Sequence, residues 1–262
     1  YSWLLSKEPT MGIFLKCCGT PAKWAGDEEK HAETISKLHA DWEGLGKPKL
    51  VVACPNCMNN ISEFLPDVEM ISLYEFMEEK GIFPVMKGDR ETWSIFDPCA
   101  SAGKEGLRKA IRNLVQSANF RLEPLPVQEN HSACCSYGGH VAIAHPKYAN
   151  FVINRRITES ENPYITYCIN CRDAFLGAGK KTIHILDVIF GDRSAGGKAS
   201  LPTITERRKN RIALKEQLLK DIWGEKTVKK EPQIQIDLKI DPELKAKLNR
   251  EWILEEEVAN VI

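Results

Sequence analysis

The chain has 262 residues, with 36 basic against 36 acidic side chains and 43% hydrophobic residues. That balance gives no electrostatic case for nucleic acid or an anionic membrane, and no apolar run approaches the roughly 20 residues of a spanning helix. Nine cysteines are too sparse for a disulfide scaffold and odd in number. With no secretion signal read at the start, the expected compartment is the cytoplasm and the cysteines are expected to be metal ligands or redox groups.

The predicted elements begin with YSWLLS, a helix fragment that includes Tyr1; the last residues, EEEVANVI, read as a helix without its cap. Both ends are therefore expected to be internal to a longer polypeptide. GIFLK (12–16) is strand-like and ends in Cys17 and Cys18. An amphipathic helix follows over 27–46, with Ala32, Ile35, Leu38 and Trp42 at helical spacing and Gly46 as its stop. KLVVA is a β-rich run leading into Cys54 and Cys57 of CPNC, and VEMISLYEFM comes after.

The pattern then recurs with an extra front end. WSIFDPC is a strand ending in Cys99, and KEGLRKAIRNLVQSA is an amphipathic helix with Leu107, Ile111, Leu114, Val115 and Ala118 on one face. FRLEPLP reads as extended and is followed by Cys134 and Cys135. HPKYANFVINRRITESE reads as a helix with Pro146 in its first turn. PYITY leads into Cys168 and Cys171 of CINC, and TIHILDVIF closes the unit. Between Cys18 and Cys54 lie 35 residues; between Cys135 and Cys168 lie 32; between Cys99 and Cys134 lie 34. The shared order of strand, CC, helix, strand and CxxC is an internal duplication.

Strands alternating with helices predict an α/β fold: two pseudo-symmetric, mostly parallel sheet units with flanking helices, at 1–88 and 89–192. An α-rich extension at 193–262 is expected to follow. It opens with a flexible linker, GDRSAGGKAS, and a helix over 204–224 with Ile212, Leu218, Leu219, Ile222 and Trp223 apolar. QIQIDLKI alternates as a strand would, and two short helices follow, the first capped by Asp241 with Pro242 behind it. The basic cluster ERRKNR reads as a solvated face, since acids in the same segment balance it.

Functional groups of such sheets gather at the carboxyl ends of strands, and the cysteines fall at such ends. All-sulfur ligands suit zinc, copper(I) or iron–sulfur clusters. The five sulfurs of the second unit exceed what one tetrahedral zinc needs and suit a cluster better. Zinc, a metal-free redox dithiol and plain buried cysteines remain open at this point.

The pattern C–x(34)–CC–x(32)–CxxC resembles the cysteine-rich CCG domain of heterodisulfide reductases and of iron–sulfur subunits of glycolate, lactate and glycerol-3-phosphate oxidases. The resemblance covers residues 1 to about 192. It implies two pseudo-symmetric domains holding [4Fe–4S] clusters, non-cubane in the reductase, at a disulfide-binding site. It further implies one ligand set of Cys99, Cys134, Cys135, Cys168 and Cys171, and a second of Cys17, Cys18, Cys54 and Cys57 that lacks its first member, with zinc as an alternative there. CCS stands where the family has CCG, and Gly138 and Gly139 are expected to supply the tight backbone. The arrangement also resembles bacterial fusions of a pyridine-nucleotide-dependent FAD module with CCG domains, although no GxGxxG fingerprint lies in this chain.

The expected function is an iron–sulfur redox module in electron transfer or disulfide reduction, served by a flavin- or ferredoxin-type donor and acting on a small-molecule disulfide. The alternative is a zinc-binding assembly domain of a larger oxidoreductase. His140 is the candidate proton donor to a leaving thiolate; His145 is expected to cap the helix after it, and Tyr137 to pack. Asn56 and Asn170 are expected to brace the CxxC turns through side-chain bonds to backbone, and Asp97 to orient the Cys99 loop. His184 and Asp187 read as structural.

Overall fold

The computed structural model describes residues 1–83, 88, 91–126, 133–191, 201–225 and 239–259. Tyr1–Ala199 forms one compact unit and Ser200–Ile262 another. Among the described residues no helix is long and apolar enough to cross a membrane.

The large unit is α/β. It opens with α1 (Ser2–Lys7), α2 (Thr20–Ala25) and α3 (Glu28–Gly44), then β1 (Leu50–Val52), α4 (Pro55–Phe64), β2 (Met70–Ser72) and α5 (Leu73–Glu79). Residues 12–16 form no strand. That segment is short and begins with Gly12, and its Phe14 packs on the cluster of Cys18, Ile35, Leu38 and Trp42, so side-chain burial holds it without ladder bonds. The buried stripe of α3 runs through His31, Ile35, Leu38 and Trp42, with Ala32 exposed. The helix ends at Gly44, ahead of the expected Gly46, which takes the left-handed conformation just beyond it at φ 83°.

The second repeat contains β3 (Thr92–Phe96), a 3₁₀ turn at Cys99–Ser101, α6 (Glu105–Ser117) and β4 (Arg121–Leu122). A second 3₁₀ turn at Gly138–His140 leads into α7 (Val141–Ala144) and α8 (Pro146–Ile157). β5 (Tyr164–Thr166), α9 (Ile169–Gly177), β6 (Thr182–His184) and α10 (Ile185–Phe190) complete it. The buried positions of α6 are Leu107, Ala110, Ile111, Leu114 and Val115, the i, i+3, i+4, i+7, i+8 stripe of a helix packed on a core.

All strand pairs among the described residues are parallel. β1 pairs β2, and the larger sheet runs β4-β3-β5-β6. β5 and β6 are buried throughout while β1 is only half-buried, as expected where helices cover both faces of one sheet. One core joins the repeats: Leu73, Tyr74 and Met77 pack with Trp93, Leu107, Ile111, Ile165 and Val188.

In the smaller unit, α11 (Ile204–Trp223) starts at a capping box of Thr203 and Glu206 and stops at Gly224, φ 63°. Then come α12 (Pro242–Arg250), capped by Asp241, and α13 (Glu255–Ala259). The Ile204 amide donates to Asn249 Oδ1 at 2.9 Å and Arg208 Nε lies 3.0 Å from Glu256 Oε2, tying α11 to the two short helices. The expected linker over 192–200 and the strand-like residues 233–238 lie outside the described residues.

Candidate metal centre

The parallel sheet brings cysteines of the second repeat together by register. An isolated parallel bridge pairs Pro98 with Ala133, so the next residues, Cys99 and Cys134, stand side by side. Phe96 pairs with Thr166, which brings Cys168 to the same edge. Cys171 Sγ lies 3.1 Å from Cys135 Sγ, and Cys168 is hydrogen-bonded to Cys171. Behind Cys99, Asp97 is fully buried. Its carboxylate accepts Arg112 Nη2 at 2.6 Å, Arg108 Nε at 3.3 Å and the Tyr167 hydroxyl at 2.7 Å. Ser101 Oγ donates to Pro98 O at 2.7 Å and lies 2.8 Å from the Tyr167 hydroxyl. Asp97 thus fastens the Cys99 turn to α6 and β5.

In the first repeat, Cys18 is hydrogen-bonded to Cys17 and Cys57, and Cys57 also to Cys54. Thr20 Oγ1 is 3.2 Å from Cys18 Sγ. Asn60 Nδ2 donates to the Cys18 carbonyl and lies 3.2 Å from His31 Nε2, while the His31 ring meets Phe64 edge-on at 4.5 Å.

Both CC loops close in the same way. The Gly19 amide donates to Cys17 Sγ at 3.4 Å, and the Ser136 amide to Cys134 Sγ at 3.2 Å. Gly19 has φ 83° and Ser136 φ 65°. The serine therefore adopts the left-handed turn itself, a correction to the expectation that Gly138 and Gly139 supply it. Gly139 is also left-handed at φ 66°, whereas Gly138 is where the chain passes Trp24: a Cβ there would lie 3.4 Å from Trp24 Cζ2.

Both CxxC motifs straddle a helix start. Cys54 is the N-cap of α4 and Cys168 that of α9, each with extended φ/ψ. A thiolate at an N-cap meets free amides and the positive end of the helix dipole. The Cys54 thiol is accordingly held at about 7, first by its bond from Cys57 and further by the Cys57 and Asn56 amides, against burial. Cys168 is lowered in the same way by Cys171 and by the Cys171 and Asn170 amides. Both asparagines thus act on the turn through backbone N–H groups. The Asn56 side chain crosses to the other repeat, with Nδ2 3.8 Å from Cys168 Sγ.

Cys18 is held far below the usual thiol range by Cys17 and Cys57, and Cys134 at about 6 by Cys99. Cys17, Cys57, Cys99 and Cys171 are pushed up, each first by the sulfur it bonds and then by burial. Among the described residues no three Cys, His, Asp or Glu side chains close on a point as around a single ion; the thiols lie in hydrogen-bonded pairs and chains. This donor set fits a soft metal or cluster, which binds thiolates and releases the shared protons.

The two repeats also meet around the sites. Asn59 Nδ2 donates to Ala100 O at 3.0 Å, joining α4 to the Cys99 turn. His140 has φ 53° and sits edge-on to Trp24 at 6.3 Å. His145 caps α8, its Nδ1 accepting the Tyr148 amide at 3.1 Å, as expected. Tyr137 packs against the core of Phe96, Cys135 and Phe175, also as expected. The sequence reading missed His31, Asn60, Tyr167, Arg108 and Arg112. Of these only His31 left a usable signal, its place on the α3 stripe.

A model of the cysteine-rich CCG domain matches residues 9–62 and 93–175, just over half of the chain. The first segment contains Cys17, Cys18, Cys54 and Cys57, and the second Cys99, Cys134, Cys135, Cys168 and Cys171. No curated protein matches the chain. With both matched segments centred on the two sulfur sets, the chain belongs to the CCG cysteine-rich domain family.

Proposed function

We propose that the chain is an iron–sulfur redox module of the heterodisulfide-reductase type, working in the cytoplasm. The observation that carries this reading is the pair of all-sulfur sets gathered at the carboxyl ends of parallel strands, with Cys171 Sγ 3.1 Å from Cys135 Sγ in the second. Cys99, Cys134, Cys135, Cys168 and Cys171 would hold one [4Fe–4S] cluster, non-cubane by family resemblance. Cys17, Cys18, Cys54 and Cys57 would hold a second. A bound cluster supplies single-electron transfer. The helix N-termini at Cys54 and Cys168 stabilise the thiolate ligands, and Asp97 fixes the Cys99 turn. A flavin- or ferredoxin-type partner would provide the electrons. Cleavage of a small-molecule disulfide takes two electrons and two protons and releases two thiols; His140, on the turn after Cys135, is assigned one of those protons.

A second reading, zinc in the first set within an assembly domain, is favoured by one observation: the sulfurs of that set form a single bonded chain of four, the ligand number of tetrahedral zinc. Metal and acid-labile sulfide analysis of anaerobically purified protein, with its absorption spectrum, tests both. Iron with matching sulfide supports the redox reading, and zinc without sulfide overturns it.

A further inference from the structure

We propose that Asn56 forms a hydrogen-bonding seam between the two cysteine sets, joining the CxxC turn of the first to Cys168 of the second, with the buried Tyr74 hydroxyl as a polar group beside it, so that charge on one set is felt at the other. Two independent placements lead there. Asn56 lies inside the first CxxC motif, yet its amide donates to the sulfur that opens the second, at 3.8 Å and across 112 residues of sequence. Tyr74 arrives by strand register. Val52 pairs with Ser72, so Cys54 and Tyr74 each stand two residues beyond a paired position on adjoining strands. Its ring meets Tyr167, the neighbour of Cys168, edge-on at 6.3 Å.

Tyr74 is fully buried, and its hydroxyl has no hydrogen-bond partner among the described residues. A buried, unpaired hydroxyl is uncommon and calls for a role. Burial pushes its ionisation far up, so the hydroxyl stays protonated. The pseudo-symmetric position is Leu186: Ser72 and His184 pair with Val52 and Thr166, respectively, and Tyr74 and Leu186 each lie two residues on. Of the two repeats, the first alone supplies the hydroxyl. Neither Asn56 nor Tyr74 is a ligand; both are positioning groups that act through the cysteines.

The first test rests on the cluster reading. Protein reconstituted anaerobically with iron and sulfide is titrated potentiometrically in a Cys17→Ser background, which leaves the second set loaded alone. Donors to thiolate sulfur favour the more negative reduced state, so their loss lowers the potential. Asn56→Leu should move the second-set midpoint to more negative values at unchanged iron and sulfide content, and Tyr74→Phe, which removes a buried hydroxyl dipole but no bond to sulfur, should move it less. Unmoved midpoints at full iron content would overturn the seam.

If the unsubstituted chain takes up no iron, the cluster reading fails, and a second test judges the seam separately. In the reduced metal-free chain, a double-mutant cycle of Asn56→Leu and Cys168→Ala is followed by urea unfolding. The seam requires the double variant's midpoint shift to differ from the sum of the single shifts. Additive shifts would overturn it. A variant of Tyr74 that does not fold leaves Asn56→Leu to decide both tests.

Discussion

The two cysteine sets share a plan and differ in support. Each has a CC loop closed by a left-handed residue and a CxxC turn at a helix start. The first is mounted on a two-stranded sheet that is half-buried, with His31 and Asn60 behind Cys18. The second sits on a four-stranded sheet whose β5 and β6 are buried, with an Asp97–arginine network behind Cys99. The same sulfur arrangement therefore follows from strand register and loop conformation, while the scaffold behind it sets how firmly it is held.

Removing a ligand cysteine should affect one set and spare the other. Cys135→Ser should abolish metal binding in the second set, and Cys17→Ser should leave that set intact, as read by iron and sulfide counts. A full iron complement in Cys135→Ser would show the ligand assignment to be wrong. Next, Asp97→Ala strands two arginines against a vacated buried site. The expected loss is about 3–5 kcal/mol of stability in chemical unfolding, the range for breaking a buried ion pair from one side.

A third contrast lies in equivalent helix caps. Ser72 caps α5 by accepting the Glu75 amide at 3.0 Å, and His184 caps α10 through Nδ1, which accepts the Leu186 amide at 3.2 Å. Burial, then the charge of Arg172, lowers His184 to about 4, while an unfolded histidine titrates near 6.5. Between those values the unfolded chain binds more protons. The neutral-histidine contribution is complete above about pH 6.5, shrinks as pH falls, and is gone below about pH 4; it amounts to about 3 kcal/mol. His184→Asn should flatten that part of the stability–pH curve, and an unchanged curve would assign the acid sensitivity elsewhere.

The smallest effects concern the CC loops. Gly19→Ala places a Cβ at φ 83° and 3.0 Å from the His31 ring, at an expected cost of about 1–2 kcal/mol. Ser136→Gly should do the opposite, relieving the left-handed serine by up to about 1 kcal/mol in thermal unfolding. Destabilisation by Ser136→Gly would mean that the serine side chain serves the loop.

The duplication was legible because cysteine spacing and strand–helix order repeat over long stretches. Helix α6 was legible because its apolar stripe is unbroken. In the α3 stripe Ile35, Leu38 and Trp42 are buried as read, and Ala32 stood in the place of His31, since a buried histidine held by Asn60 and Phe64 looks polar in sequence. GIFLK has the composition of a strand but pairs with neither strand of the small sheet. Asp97 was read as orienting the Cys99 loop, but its partners Arg108, Arg112 and Tyr167 and the crossing of Asn56 to Cys168 were not legible, because they depend on where distant elements come to lie rather than on any local pattern.

The core that runs from α5 to α6 makes the two repeats fold as one. Leu73, Tyr74 and Met77 from one repeat bury themselves against Leu107, Ala110 and Ile111 from the other, so each copy covers an apolar face of its neighbour. A chain severed between Phe83 and Glu91 should yield two insoluble halves, recoverable only by co-folding. What began as two interchangeable copies has become a single inheritance that can no longer be divided.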